Sequence, residues 1–121
     1  MNRPLSPHLQ VYRLPLTGII SITHRATGVF LAMGLILVVY ILFGIARGEN
    51  SFTEMQAFLN WTIIKLIYWG FVYALFFHLV HGIRHLIWDT GASFELRTMD
   101  VLAVTELCIS LFLTVITLLY I

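Results

Sequence analysis

Three stretches of the chain run almost without charge. Ala26 to Ala46 is 21 residues with none, Leu66 to Ile83 is 18 residues interrupted only by His78 and His81, and Val101 to Ile121 is 21 residues broken only by Glu106. Crossing a bilayer takes about 20 predominantly apolar residues in a helix. The pattern therefore predicts an all-α membrane protein of three transmembrane helices, at about 17–46, 60–88 and 101–121. Residues 1–16 read as a polar approach segment, and residues 1–121 as one membrane domain. Arg47 to Asn60, with Gly48, Glu49, Asn50 and Ser51, reads as the first loop, and Asp89 to Asp100, with Thr90 and Gly91, as the second. Connections this short make neighbouring spans antiparallel.

Composition agrees with the pattern. Of 121 residues 60% are apolar, and seven Lys and Arg stand against six Asp and Glu. A soluble domain carries about a quarter charged residues, and a disordered chain lacks this apolar excess. A net charge of +1 gives no basic field for nucleic acid. The single cysteine, Cys108, has no partner for an internal disulfide. Arg3, Arg13, Arg25, Arg84 and Arg97 fall on one side of the bilayer, Arg47 and Lys65 on the other. That bias predicts an inside N-terminus and an outside C-terminus. Met1 to Pro15 has no apolar core before a cleavage site, so no removed leader is expected. A bacterial inner membrane is the expected location, with the mitochondrial inner membrane as the alternative.

Polar residues inside the spans carry the chemistry. Thr17, Ser21, His24, Arg25 and Gly28 form one stripe at helical spacing. Arg25 early in a helix opposes the macrodipole, so it either snorkels to lipid phosphates or serves a site. On the second span His78, His81 and His85 lie within about 60° of one another, and Gly82 leaves a notch beside them, followed by Arg84, Trp88 and Asp89. An ionisable residue as deep as His78 marks a functional site by default. A hairpin places His24 and Arg25 level with Arg84 and His85, with His78 about 10 Å deeper. One deep imidazole under a rim of cationic and hydrogen-bonding groups matches a b-type haem standing on edge. His78 would be its axial ligand, and the basic rim would meet the propionates. His24 is expected to be too shallow for the second ligand, which must then come from another subunit unless the iron is five-coordinate. Glu106 either marks the interfacial start of the third helix or pairs with Arg97.

Two separated motifs carry a resemblance. Ser21-Ile-Thr-His24-Arg25-Ala-Thr27-Gly28 and His78-Leu-Val-His81-Gly82-Ile-Arg84-His85-Leu-Ile-Trp88-Asp89 resemble the paired signature of the cytochrome b anchor subunit of succinate dehydrogenase, respiratory complex II. Arg3-Pro4-Leu5-Ser6-Pro7-His8-Leu9 with Tyr12-Arg13 is similar to that family's approach segment. The resemblance implies a four-subunit enzyme in which a flavoprotein oxidises succinate and an iron–sulfur subunit relays the electrons. Two small membrane anchors share a haem b and reduce ubiquinone. By position, His78 looks like the axial ligand, His24 and His85 like propionate contacts with Arg84 nearby, and Ser21 and Arg25 like quinone-binding residues. His81 lines the haem pocket at most. No catalytic residue for succinate oxidation is expected in this chain.

The quinone assignment has a physical rationale as well. Reducing a quinone builds negative charge on its carbonyl oxygens, which a hydroxyl and a guanidinium stabilise. A back-bond from Ser21 to the Thr17 carbonyl is the plain structural alternative. The rival readings are the anchor of a quinol:fumarate reductase, and a non-redox membrane anchor or proton-relay subunit using His78 and His81.

Overall fold

The computed structural model describes residues 13–92 and 95–120. The approach segment up to Tyr12, with Arg3 and the Pro4 to Leu9 motif, lies outside the described residues. Four helices follow in order: α1 (Leu16–Ala46), α2 (Glu49–Leu59), α3 (Thr62–Asp89) and α4 (Leu96–Tyr120). No strand occurs among the described residues. The long helices α1, α3 and α4 are each apolar and long enough to cross a membrane. The chain is a multi-pass membrane protein built from three antiparallel spans.

The helix ends follow from local chemistry. Pro15 cannot sit in a helix interior, and α1 starts just after it, with the Pro15 carbonyl accepting from the Gly18 and Ile19 amides at 2.9 and 3.1 Å. Gly48 adopts φ +91°, a left-handed conformation that glycine reaches without a side-chain clash. There the chain turns into α2, an 11-residue helix within the stretch whose pattern reads as loop. Phe52, Met55 and Leu59 recur at helical spacing, and Glu49 in the first turn complements the dipole. Met55 is buried against the end of α1, where a Cβ on Gly44 would lie 2.6 Å from its sulfur. α2 is thus a short amphipathic helix whose apolar face packs back on the end of α1.

Antiparallel register fixes the contacts between α1 and α3. Gly34 stands eighteen residues after the start of α1, and Phe71 eighteen before the end of α3. The Phe71 ring fills the space that a side chain at Gly34 would need, since a Cβ there would lie 1.3 Å from its tip. The same ring packs tilted against Phe30, with centroids 4.7 Å apart. One residue from each span makes the core: Ile20, Phe77 and Ala103, with Tyr73 and Leu107 beside them. α4 buries a narrow stripe of small and polar residues, Ala103, Glu106, Ser110 and Thr114. The Ser110 and Thr114 hydroxyls donate to carbonyls four residues back, at 2.6 and 2.7 Å, which satisfies them without a partner helix. Large apolar side chains such as Ile36, Ile63, Phe112 and Leu119 face outward. Polar groups inside and apolar groups outside is the arrangement lipid demands.

Candidate functional site

Four imidazoles gather where α1 meets α3. The His24 ring stacks on His78, with centroids 4.0 Å apart and planes 12° from parallel. It also touches His81 at 4.6 Å and His85 at 5.7 Å. His24 stands eight residues into α1 and His81 eight from the end of α3, so register sets them level. This corrects the expected depths. His78 is not about 10 Å below His24, because counting from the helix ends sets His24 level with His81, only three residues, about 4.5 Å of rise, from His78. Gly28 permits the close approach, since a Cβ there would lie 3.0 Å from His78 Cε1.

The proton on His78 can be placed from its partners. Nδ1 lies 3.2 Å from both the His24 carbonyl oxygen and the Thr27 hydroxyl. The Thr27 hydroxyl already donates to the His24 carbonyl at 2.8 Å, so towards His78 it can only accept. His78 Nδ1–H is therefore the donor, and Nε2 carries the lone pair. A backbone carbonyl holding one imidazole nitrogen is how metal-binding histidines are commonly oriented. His78 is half-buried and His85 exposed. Gly82, between them on α3, has nothing within 4 Å of a Cβ position among the described residues. A flat group can approach this side.

The rest of α3 turns the other way. His81 is 0% exposed and Arg84 5%, both packed towards α4. His81 Nδ1–H donates to Glu106 Oε1 at 2.9 Å, and Arg84 Nη1 meets Glu106 Oε2 at 3.0 Å. Arg84 also donates to the Met99 carbonyl at 3.4 Å and lies over the Trp88 ring, 4.4 Å from its centroid. So Glu106 pairs with Arg84 and His81 rather than with exposed Arg97, and it is buried between helices rather than interfacial. Arg84 is correspondingly turned from the basic rim where the motif suggests it. The polar face expected of α3 is split, with His78, Gly82 and His85 on the open side and His81 and Arg84 on the α4 side. Sequence reasoning left Glu106 unassigned. Its signal was a lone carboxylate in an apolar span, facing a preceding span that carries an arginine and a histidine three residues apart.

Ser21 and Arg25 lie one turn apart on α1, Ser21 half-buried and Arg25 exposed. Thr23 and Thr27 back-bond within the helix; among the described residues no such bond engages Ser21. One nitrogen each from His24, His81 and His85 lies within 4.8 Å of the others, close enough to share a small cation. Of His78 and His81, only His78 can present its free nitrogen to a planar group, because His81 is enclosed. Buried Nε2 atoms of His24 and His81 have no hydrogen-bond partner among the described residues.

Three antiparallel spans with imidazoles gathered around His24 define a multi-pass membrane subunit with a polar site between its helices. Comparison with known proteins narrows this class. The family model described as succinate dehydrogenase/fumarate reductase transmembrane subunit matches residues 1–117, and the chain belongs to that family. It is 35% identical over 113 residues to the succinate dehydrogenase cytochrome b556 subunit of Rickettsia felis, covering 93% of this chain and 88% of that one. It is 41% identical over 96 residues to the subunit of the same name from Paracoccus denitrificans, covering 79% and 74%. To the succinate dehydrogenase cytochrome b560 subunit of Marchantia polymorpha it is 39% identical over 105 residues, covering 79% and 74%.

Proposed function

We propose that this chain is a membrane anchor of succinate:ubiquinone oxidoreductase, holding one side of a haem b and part of the ubiquinone-reduction site. The observation that carries the haem reading is the fixed tautomer of His78, with Nδ1–H committed to the His24 carbonyl and Nε2 unpartnered beside Gly28, 4.0 Å from where a Cβ would stand. The cytochrome names of the relatives support it. His78 would hold the iron through Nε2, and His24 and His85 would meet the propionates, exposed His85 being the readily reached donor. Bound there, the haem supplies a one-electron carrier. α3 would supply one imidazole to the haem, and a second small membrane anchor would complete its hold on the group. Succinate oxidation and electron relay belong to flavoprotein and iron–sulfur subunits, with the N-terminus on their side of the bilayer.

Ser21 and Arg25 supply the quinone chemistry. As electrons arrive, negative charge grows on the quinone oxygens, and a guanidinium with a hydroxyl one turn away stabilises it before protons are taken up. The exposure of Arg25 leaves its guanidinium free to meet a ligand or a partner subunit.

A dithionite-reduced minus oxidised spectrum of the purified complex tests the whole reading. A b-type α-band together with a co-purifying flavoprotein is expected; a colourless preparation without one overturns it. Arg25→Leu is expected to lower ubiquinone reduction about tenfold or more, the scale of losing one charge-assisted donor. Succinate oxidation coupled to a soluble dye should survive. Unchanged quinone turnover would remove Arg25 from the site.

A further inference from the structure

We propose that the buried Glu106–Arg84 pair is a charge counterweight that sets the reduction potential of the group held at His78, acting through His81 and His24. This rests on the reading that His78 holds a haem b. Glu106 is 3% exposed, Arg84 5% and His81 0%, all between α3 and α4. Replacing a buried ion pair by apolar residues of similar volume is often neutral or stabilising, so the pair is weak evidence of a purely stabilising role. Ionisable groups within a membrane interior are retained where they act on a site.

The contacts give that action a route. Glu106 accepts the Nδ1 proton of His81 at 2.9 Å, which leaves His81 Nε2 a lone pair inside the imidazole cluster. The His81 ring touches His24 at 4.6 Å, and His24 stacks on His78 at 4.0 Å. Rings in van der Waals contact leave no room for water along this line, so the field of the carboxylate is weakly screened at His78. An anion there favours the oxidised form of the redox group and Arg84 opposes it. His81 and Arg84 are therefore positioning and tuning residues, and neither needs to touch the cofactor.

Redox titration of the purified four-subunit complex at pH 8, followed at the b-type band, tests this. Glu106→Gln keeps the shape and leaves the Arg84 charge uncompensated. It is expected to raise the reduced-to-oxidised ratio at fixed ambient potential about tenfold, about 59 mV for a one-electron couple. Arg84→Gln is expected to shift the ratio the opposite way, and the double substitution, which restores neutrality, to return it to within about threefold of the wild type. A merely structural role would make the double variant the most perturbed of the three. If Glu106→Gln fails to assemble, Arg84→Gln and the double variant carry the same comparison. Shifts of equal sign, or no shift with the band intact, overturn the proposal. Absence of the band from the wild-type complex overturns the haem reading instead.

Discussion

Replacing His78 with Leu is expected to abolish the b-type band of the complex, while replacing His81 with Leu leaves the band in place. The two imidazoles sit three residues apart on α3 and both have Nδ1 engaged, so the contrast depends on what their free nitrogens face. His78 Nε2 lies beside Gly28, 4.0 Å from where a Cβ would stand, and unlike the Nε2 atoms of His24 and His81 it is not a buried nitrogen. His81 is fully enclosed by His24, His85, Phe77 and Glu106. An iron porphyrin is many times larger than an imidazole and cannot enter that enclosure without unpacking α3 from α4. Equal loss of the band from both variants would assign the ligand to the wrong histidine. Pyridine haemochrome analysis against protein content gives the measurement.

The second large effect is on the fold itself. Phe77 is 0% exposed where Ile20, Ala103 and Leu107 converge, and its ring runs nearly parallel to those of Tyr73 and His81. Phe77→Ala is expected to cost about 3–5 kcal/mol, the range for emptying a phenylalanine site in a packed interior. Lipid offers no hydrophobic drive between helices, so the loss is one of contacts that nothing refills. Thermal unfolding in detergent should show a large drop for Phe77→Ala and a smaller one for Phe77→Leu. Indistinguishable melting of wild type and alanine variant would mean that the three spans do not share this plug.

Which of these features the sequence could reveal follows from the kind of signal each leaves. Spans announce themselves because charge is so costly in hydrocarbon that its absence over about 20 residues is informative. His24, Arg25 and His78 stood out for the same reason. Register needs a count instead: helices at 17–46 and 60–88 already leave seven residues beyond each of His24 and His81, against eight in the structure, so it is the levelling of His24 with His85 rather than His81 that fails. α2 escaped because its apolar face is three residues wide in a polar stretch. The pairing of Glu106 depends on the rotation of α4, which is apolar nearly all round. Its clue was the recurrence of small or polar residues at Ala103, Glu106, Ser110 and Thr114, the stripe that faces α3.

The hydrogen bond from His78 to the His24 carbonyl has a consequence for biogenesis. The acceptor is main chain, so it belongs to α1 whatever side chain position 24 carries, and it comes within reach only after the first hairpin has closed. Before closure the imidazole is free to exchange its proton between both nitrogens; afterwards one of them is held ready. Competence to capture a prosthetic group is thereby made conditional on the correct meeting of two helices, a checkpoint written into the backbone.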